Sequence, residues 1–387
     1  MQQSRGIIEG RQTHKASPKL RPPFRADHVG SLLRPQDVKE ARIRRADGQI
    51  TDAALREIED AAIIRLIERQ QSIGLRAVTD GECRREAWLW DFLGALDGIE
   101  TSIGQAAPFK GVPAKAKVVR VTGKIGFSDH PMIEHFAFLR DHATAIPKMT
   151  IPSPTMLVSA IRDWRDIVSP DAYRDLEAMY DDLGEAYRQA VAAFYEAGCR
   201  YLQFDDCNMS YLCDTGGREK MKARGDDPDA TLESWVRLLN SVLAIRPDDM
   251  VVATHVCRGN FKSSWLVEGP YEPVAEALLG RIDYDAYFLE YDSDRAGGFE
   301  PLRFLPKDKE ATVVLGLITT KTGDLEDESH ILDRIDMAAE YVDLDRLCLS
   351  PQCGFASTEE GNLISEDDQW AKLELVQEIA AKVWPDA

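Results

Sequence analysis

The segment Thr254-His255-Val256-Cys257-Arg258-Gly259-Asn260, closing the apolar run Met250-Val251-Val252-Ala253, holds residue types that could do chemistry. Extended backbone repeats its side-chain direction every second residue, so His255 and Cys257 face one way, and Gly259-Asn260 marks the turn that follows. Two further groups stand in the same setting. Glu290 closes the run Tyr287-Phe288-Leu289, and Cys353 follows Leu349-Ser350-Pro351-Gln352 just ahead of Gly354. One imidazole, two thiolates and one carboxylate make a four-coordinate set suited to zinc, which accepts N, S and O donors. A His-x-Cys pair alone would read as a packed strand end, since cysteine is commonly buried as a small hydrophobe. Placement of all four groups just past strands favours the metal.

Such a set needs a frame that gathers strand ends on one face. Short apolar runs read as strands at 24–29, 76–80, 148–151, 201–205, in the opening segment, and at 285–290, 312–318 and 347–350. Helical spacing separates them at 52–74, 85–97, 170–197, 229–245, 271–279, 327–341 and 366–384. Eight strands alternating with helices predict an α/β fold of the (β/α)8 TIM-barrel type, whose active site lies at the carboxyl ends of the strands. An open doubly wound sheet competes, but no Gly-rich phosphate loop follows the first strand. Residues 98–143 break the rhythm with alternating runs such as Lys117-Val118-Val119-Arg120-Val121, which predicts a hairpin-containing insertion within one barrel domain spanning 23–387. Residues 1–22 are polar and aperiodic, and are expected to form a flexible arm.

The chain has 387 residues, with 47 basic and 66 acidic side chains and a net charge of −19. That balance opposes binding to nucleic acid or anionic lipid. Seven scattered cysteines do not form a spaced disulfide framework, and no signal peptide is evident, so a reducing cytoplasm with thiols available for metal is expected. No apolar run approaches the roughly 20 residues that span a bilayer. Oligomeric state is left open.

From Phe24 onward the chain resembles the C-terminal catalytic domain of cobalamin-independent methionine synthase, and in particular its short single-barrel members. In that family zinc is held by a His-x-Cys pair, a glutamate after the next strand and a late cysteine before glycine, which fall here on His255, Cys257, Glu290 and Cys353. The family's homocysteine contacts carry over from an Ile-Gly-Ser segment to Val29-Gly30-Ser31, from a Gly-Glu to Gly81-Glu82, and from an aspartate in Gln-Ile-Asp-Glu to Asp205. Glu82 and Asp205 could pair with a substrate ammonium while Ser31 and backbone amides hold its carboxylate. The bland alternatives are a simple turn at Gly30-Ser31 and a helix cap or surface ion pair at each acid.

Two departures stand out. The long members carry a second, N-terminal barrel that this sequence lacks, and their active-site histidine in Tyr-Asp-Ile-His-Ser corresponds to Lys321. Lys321 is either a proton donor or a solvated loop charge, and His28 is a second candidate acid. The resemblance implies methyl transfer from a methyl-folate-type donor to a zinc-bound thiol, most simply homocysteine giving methionine. Alkyl transfer involving another small thiol, a metal-free decarboxylase-like barrel, and a purely structural zinc remain as alternatives.

Overall fold

The structure, a computed structural model, describes residues 21–105 and 115–385, so the expected arm lies almost wholly outside the described residues. Along the chain run β1 (Ala77–Val78), β2 (Asp97–Gln105), β3 (Lys115–Gly126), β4 (Ile146–Pro147), β5 (Met149–Pro152), β6 (Tyr201–Asp206), β7 (Val251–Val256), β8 (Ala286–Glu290), β9 (Thr312–Ile318) and β10 (Leu347–Pro351). Strands β5 to β10 form one parallel sheet in sequential order. On one side the sheet continues through β4 to β1, which pair in parallel, with Lys148 N–H donating to Val78 O at 2.8 Å. On the other, Ala26 bridges Leu349, and Thr79 Oγ1 donates to Gly30 O at 2.6 Å, linking that first segment to β1. The result is a (β/α)8 barrel.

The expected first strand, 24–29, is therefore one bridge and not a ladder. The Asp27 carboxylate accepts the backbone N–H groups of His28 at 2.8 Å and Phe24 at 3.3 Å, which removes two donors that a neighbouring strand would use. The 85–97 helix is likewise reduced to Trp90–Leu93. There the Asp91 carboxylate accepts from Glu86 N at 3.1 Å and Ala87 N at 2.9 Å, pulling the entry into a turn. The 271–279 pattern becomes an α turn, Glu272–Ala275, that widens to π geometry over Glu276–Arg281. The insertion does contain the expected hairpin, β2 and β3 pairing antiparallel.

Burial separates two apolar layers. Side chains between the strands and the outer helices, such as Leu183, Tyr187 and Trp235, make the larger one. The barrel lumen holds the smaller, with Phe24, Val29, Ala77, Tyr201, Val251, Ala253, Phe288 and Val314. Within the lumen Lys148 pairs with Asp27 at 3.2 Å, both side chains fully buried, and the ammonium sits 4.1 Å from the Phe288 ring centroid. Tyr201 OH donates to the same carboxylate at 3.0 Å. A desolvated pair of this kind persists only when its remaining hydrogen bonds are made, and here they tie the first segment to β5 and β6 below the site.

Candidate active site

Alternation along β7 turns Ala253, His255 and then Cys257 inward, above the apolar lumen. Ladder register sets Asp205 beside His255 on β6, and Glu290 beside Gly316 on β9. Gly316 is required by packing: a Cβ there would lie 2.7 Å from Gln352 Cα and 2.9 Å from Leu289 O. Its absence lets the turn after β10 close in, and that turn carries Cys353.

The ligating atoms of His255, Cys257, Glu290 and Cys353 all lie within 4.8 Å of one another, and all four residues are buried. Cys257 Sγ and Cys353 Sγ are 3.6 Å apart. A disulfide would need about 2.05 Å, whereas two sulfurs at zinc–sulfur distances of about 2.3 Å in a tetrahedron stand about 3.8 Å apart. Both imidazole nitrogens of His255 and one Glu290 oxygen are buried with no hydrogen-bond partner among the described residues. The other Glu290 oxygen accepts from Arg258 N at 2.9 Å. Orphaned buried acceptors are rare unless something else satisfies them, and one cation would take the free Glu290 oxygen and one of the two imidazole nitrogens together, the other nitrogen keeping its proton. The neighbouring Cys207 thiol, burial and the Glu290 charge push the Cys257 thiol well above its ordinary range. Its contact with Cys257, with burial, does the same to Cys353. A bound cation inverts that order, since a coordinating thiol is deprotonated.

A small cleft adjoins this set, lined by His255, Cys257 and Cys353 together with Val29, Ser31, Glu82, Trp88, Asp205, Gly354 and Ser357. Val29, Ser31, Glu82 and Asp205, the substrate residues expected from the sequence, thus share a cleft with three of the four candidate ligands, with Gly30 forming the backbone between Val29 and Ser31. At φ +137°, and with Thr150 Cγ2 2.6 Å from any Cβ, position 30 accepts only glycine. Glu82 has a left-handed backbone, φ 58°. Its Oε1 accepts from Thr150 Oγ1 at 2.8 Å and faces Arg85 at 3.4 Å, while Oε2 has no partner among the described residues. Asp205 accepts from Gln203 Nε2 at 2.7 Å. Burial, then the Glu82 charge, raises the Asp205 carboxyl well above the usual range. Two buried acids facing one another suit a cationic guest.

The two candidate acids fare differently. His28 is buried, lines neither cleft, and is lowered to about 4 by burial and then by the Lys148 charge, so its imidazole is neutral near pH 7. Lys321 is not the solvated loop charge that was one reading of it: it is 9% exposed, and its Nζ donates to Asn260 Oδ1 at 3.3 Å.

Sequence reasoning missed a second, larger cleft that shares Trp88, Cys257 and Ser357 with the first. Trp88, Trp90, Met156, Leu157 and Phe261 give it apolar walls, Asn260 lines it, and the inserted hairpin contributes Lys117, Val118 and Val119. The available signal was the pair of tryptophans beside the insertion, whose spacing of two residues does not fit one face of a helix over 85–97.

A parallel (β/α)8 barrel with a buried histidine, two cysteines and a glutamate gathered at its strand ends, beside two clefts that share a wall, defines a class of barrel enzyme whose donor set fits a metal ion. The sequence model of the family described as "Cobalamin-independent synthase, Catalytic domain" matches residues 24–366. The chain belongs to that family, and it is a methyltransferase of the methionine synthase class. It is 48% identical to the Bacillus subtilis protein YxjH over 379 residues, 97% of this chain and 98% of that one. It superposes with TM-score 0.76 and 41% identity on a structure described as a putative vitamin-B12 independent methionine synthase from Listeria monocytogenes, covering 94% of this chain and 99% of that one. A B12-independent methionine synthase from Shewanella sp. W3-18-1, solved with selenomethionine, shares the fold at TM-score 0.69 and 19% identity over 94% of this chain and 98% of that one.

Proposed function

We propose that this chain transfers a methyl group from a methyl-folate-type donor to the sulfur of homocysteine held at zinc, giving methionine. The observation that carries the reading is the junction of the two clefts at Cys257, with the four-donor set and the Glu82–Asp205 pair on one side and the large apolar cleft on the other. His255, Cys257, Glu290 and Cys353 would hold the ion, whose chemistry is to keep a bound thiol ionised at neutral pH without redox side reactions. The two thiolates and the carboxylate of this set would contribute negative charge that favours a nucleophilic substrate sulfur.

On this reading Glu82 and Asp205 take the substrate ammonium, and Ser31 with the amides about it takes the carboxylate. The larger cleft receives the donor, its tryptophans facing a flat heterocycle. Lys321 lines neither cleft as it stands, but its Nζ donates to Asn260 Oδ1 in the wall of the larger one, and we assign it proton delivery at the departing nitrogen by turning from that amide into the cleft. His28, neutral and outside both clefts, is left to pack the barrel. The catalytic unit is read as residues 23–387 acting in a reducing cytoplasm. Among the described residues no helix is long and apolar enough to cross a membrane.

X-ray absorption at the zinc edge provides the test. Homocysteine added to the zinc-loaded protein is expected to add one sulfur to the coordination shell, with methionine forming once a methyl-folate is supplied. If no thiol enters the shell and none is methylated, thiol activation is the wrong chemistry. Uptake and methylation of another thiol would keep the mechanism and change the acceptor.

A further inference from the structure

Tyr271 stands at the start of the 271–279 segment, just ahead of the Glu272–Ala275 turn, and touches the backbone from which two of the four candidate ligands project. It is 1% exposed. Its hydroxyl accepts the N–H of Glu290 at 2.9 Å and stands 3.4 Å from both Val256 O and Glu290 O. The β7–β8 ladder is paired up to Val256 and Leu289. One residue further, where Cys257 and Glu290 emerge, the phenol oxygen joins the two strand ends.

The ring that carries this hydroxyl is fixed from two sides. The Arg258 guanidinium stacks 4.4 Å from its centroid, and the Tyr291 ring meets it at 5.3 Å and 61°. Arg258 also acts through its backbone, whose N–H holds Glu290 Oε1 at 2.9 Å. Glu290 is thus gripped twice, at its amide by Tyr271 and at its carboxylate by the residue whose side chain steadies Tyr271.

We infer that Tyr271, steadied by Arg258, is a positioning residue that fixes how far Glu290 stands from His255 and Cys257 and so tunes metal binding. The inference rests on the metal reading above. Partners one shell out from a metal commonly change affinity by roughly 10–100-fold when removed, and the oxygen at stake here spans two ligand-bearing strands.

The test is Tyr271→Phe in the full chain, with Arg258→Met as a companion that frees the ring and keeps the hydroxyl. Zinc affinity is read by competition with a chromophoric chelator, and the ligand set by the visible absorption of the cobalt(II)-substituted protein. We expect Tyr271→Phe to weaken zinc binding by about 10–100-fold and to shift the cobalt bands, with Arg258→Met causing a smaller change in the same direction. A thermal melt of the metal-free protein close to wild type would accompany this. If wild type binds zinc tightly and both variants match it in affinity and cobalt spectrum, the inference is overturned while the metal reading stands. The same holds if the metal-free melt falls with affinity and spectrum unchanged. Wild-type protein that takes up no zinc overturns the metal reading itself.

Discussion

Replacing Cys257 or Cys353 by serine is expected to strip most of the zinc from the protein, with affinity falling by more than about 100-fold, because each variant loses a thiolate and not merely a partner behind one. The 3.6 Å sulfur–sulfur separation gives the reason: both thiols address one point, and an alcohol at either is a far poorer donor at neutral pH. Cys207→Ser is the informative control. Its thiol touches Cys257 but lies outside the four-donor set, so this variant should keep its metal. Metal analysis after gel filtration measures all three. Full occupancy in both ligand variants would show that the ion, if bound, sits elsewhere.

The second large effect concerns the paired acids. Glu82→Gln and Asp205→Asn are expected to raise KM for the thiol substrate while zinc content stays at the wild-type level, since each removes a carboxylate from an ammonium and not from the metal. A hydrogen bond to a charged group is worth about 1.5–3 kcal/mol, or roughly 10- to 150-fold in KM. pH adds an independent check. Burial and the Glu82 charge raise the Asp205 carboxyl in the folded state, so the folded protein holds that proton to higher pH than the unfolded chain. Its contribution to stability therefore declines as pH rises from the ordinary carboxylate range through the raised value, and it improves on acidification across that window. A substrate ammonium offsets the cost at neutral pH. Thermal stabilisation by homocysteine should thus be strong near pH 7 in wild type and weak in Asp205→Asn. Unchanged KM and unchanged ligand-induced melting in both acid variants would reduce the pair to a structural role.

The donor set could be read from the sequence because each member sits at the end of an apolar run, and a parallel barrel brings strand ends together whatever their separation along the chain. Ladder register then does in space what spacing suggested: Asp205 lies beside His255, and Glu290 beside a glycine that admits the Cys353 turn. Less of the first segment was legible. Phe24 to Val29 has a strand's composition, but Asp27 takes two of its backbone donors, a competition between side chain and ladder that composition does not display. The larger cleft was hidden for a related reason. Trp88 and Trp90 fall within the 85–97 stretch expected to be helical, where residues two apart would point to different sides, whereas the Asp91 carboxylate turns the chain so that both indoles line one cavity. Tyr271 was out of reach for a different reason. Its contribution is one oxygen placed between two strands, and no local pattern announces it.

The wall common to the two clefts has a kinetic consequence. Trp88, Cys257 and Ser357 belong to both, so if the thiol and the methyl donor occupy them as proposed, they enter from different chambers, and neither must vacate the site for the other to enter. Such an enzyme turns over through a ternary complex, without a methylated intermediate waiting for its second substrate. Reciprocal initial-rate plots at several donor concentrations should therefore intersect, whereas a parallel family would mean that the methyl group rests on the protein between two separate visits.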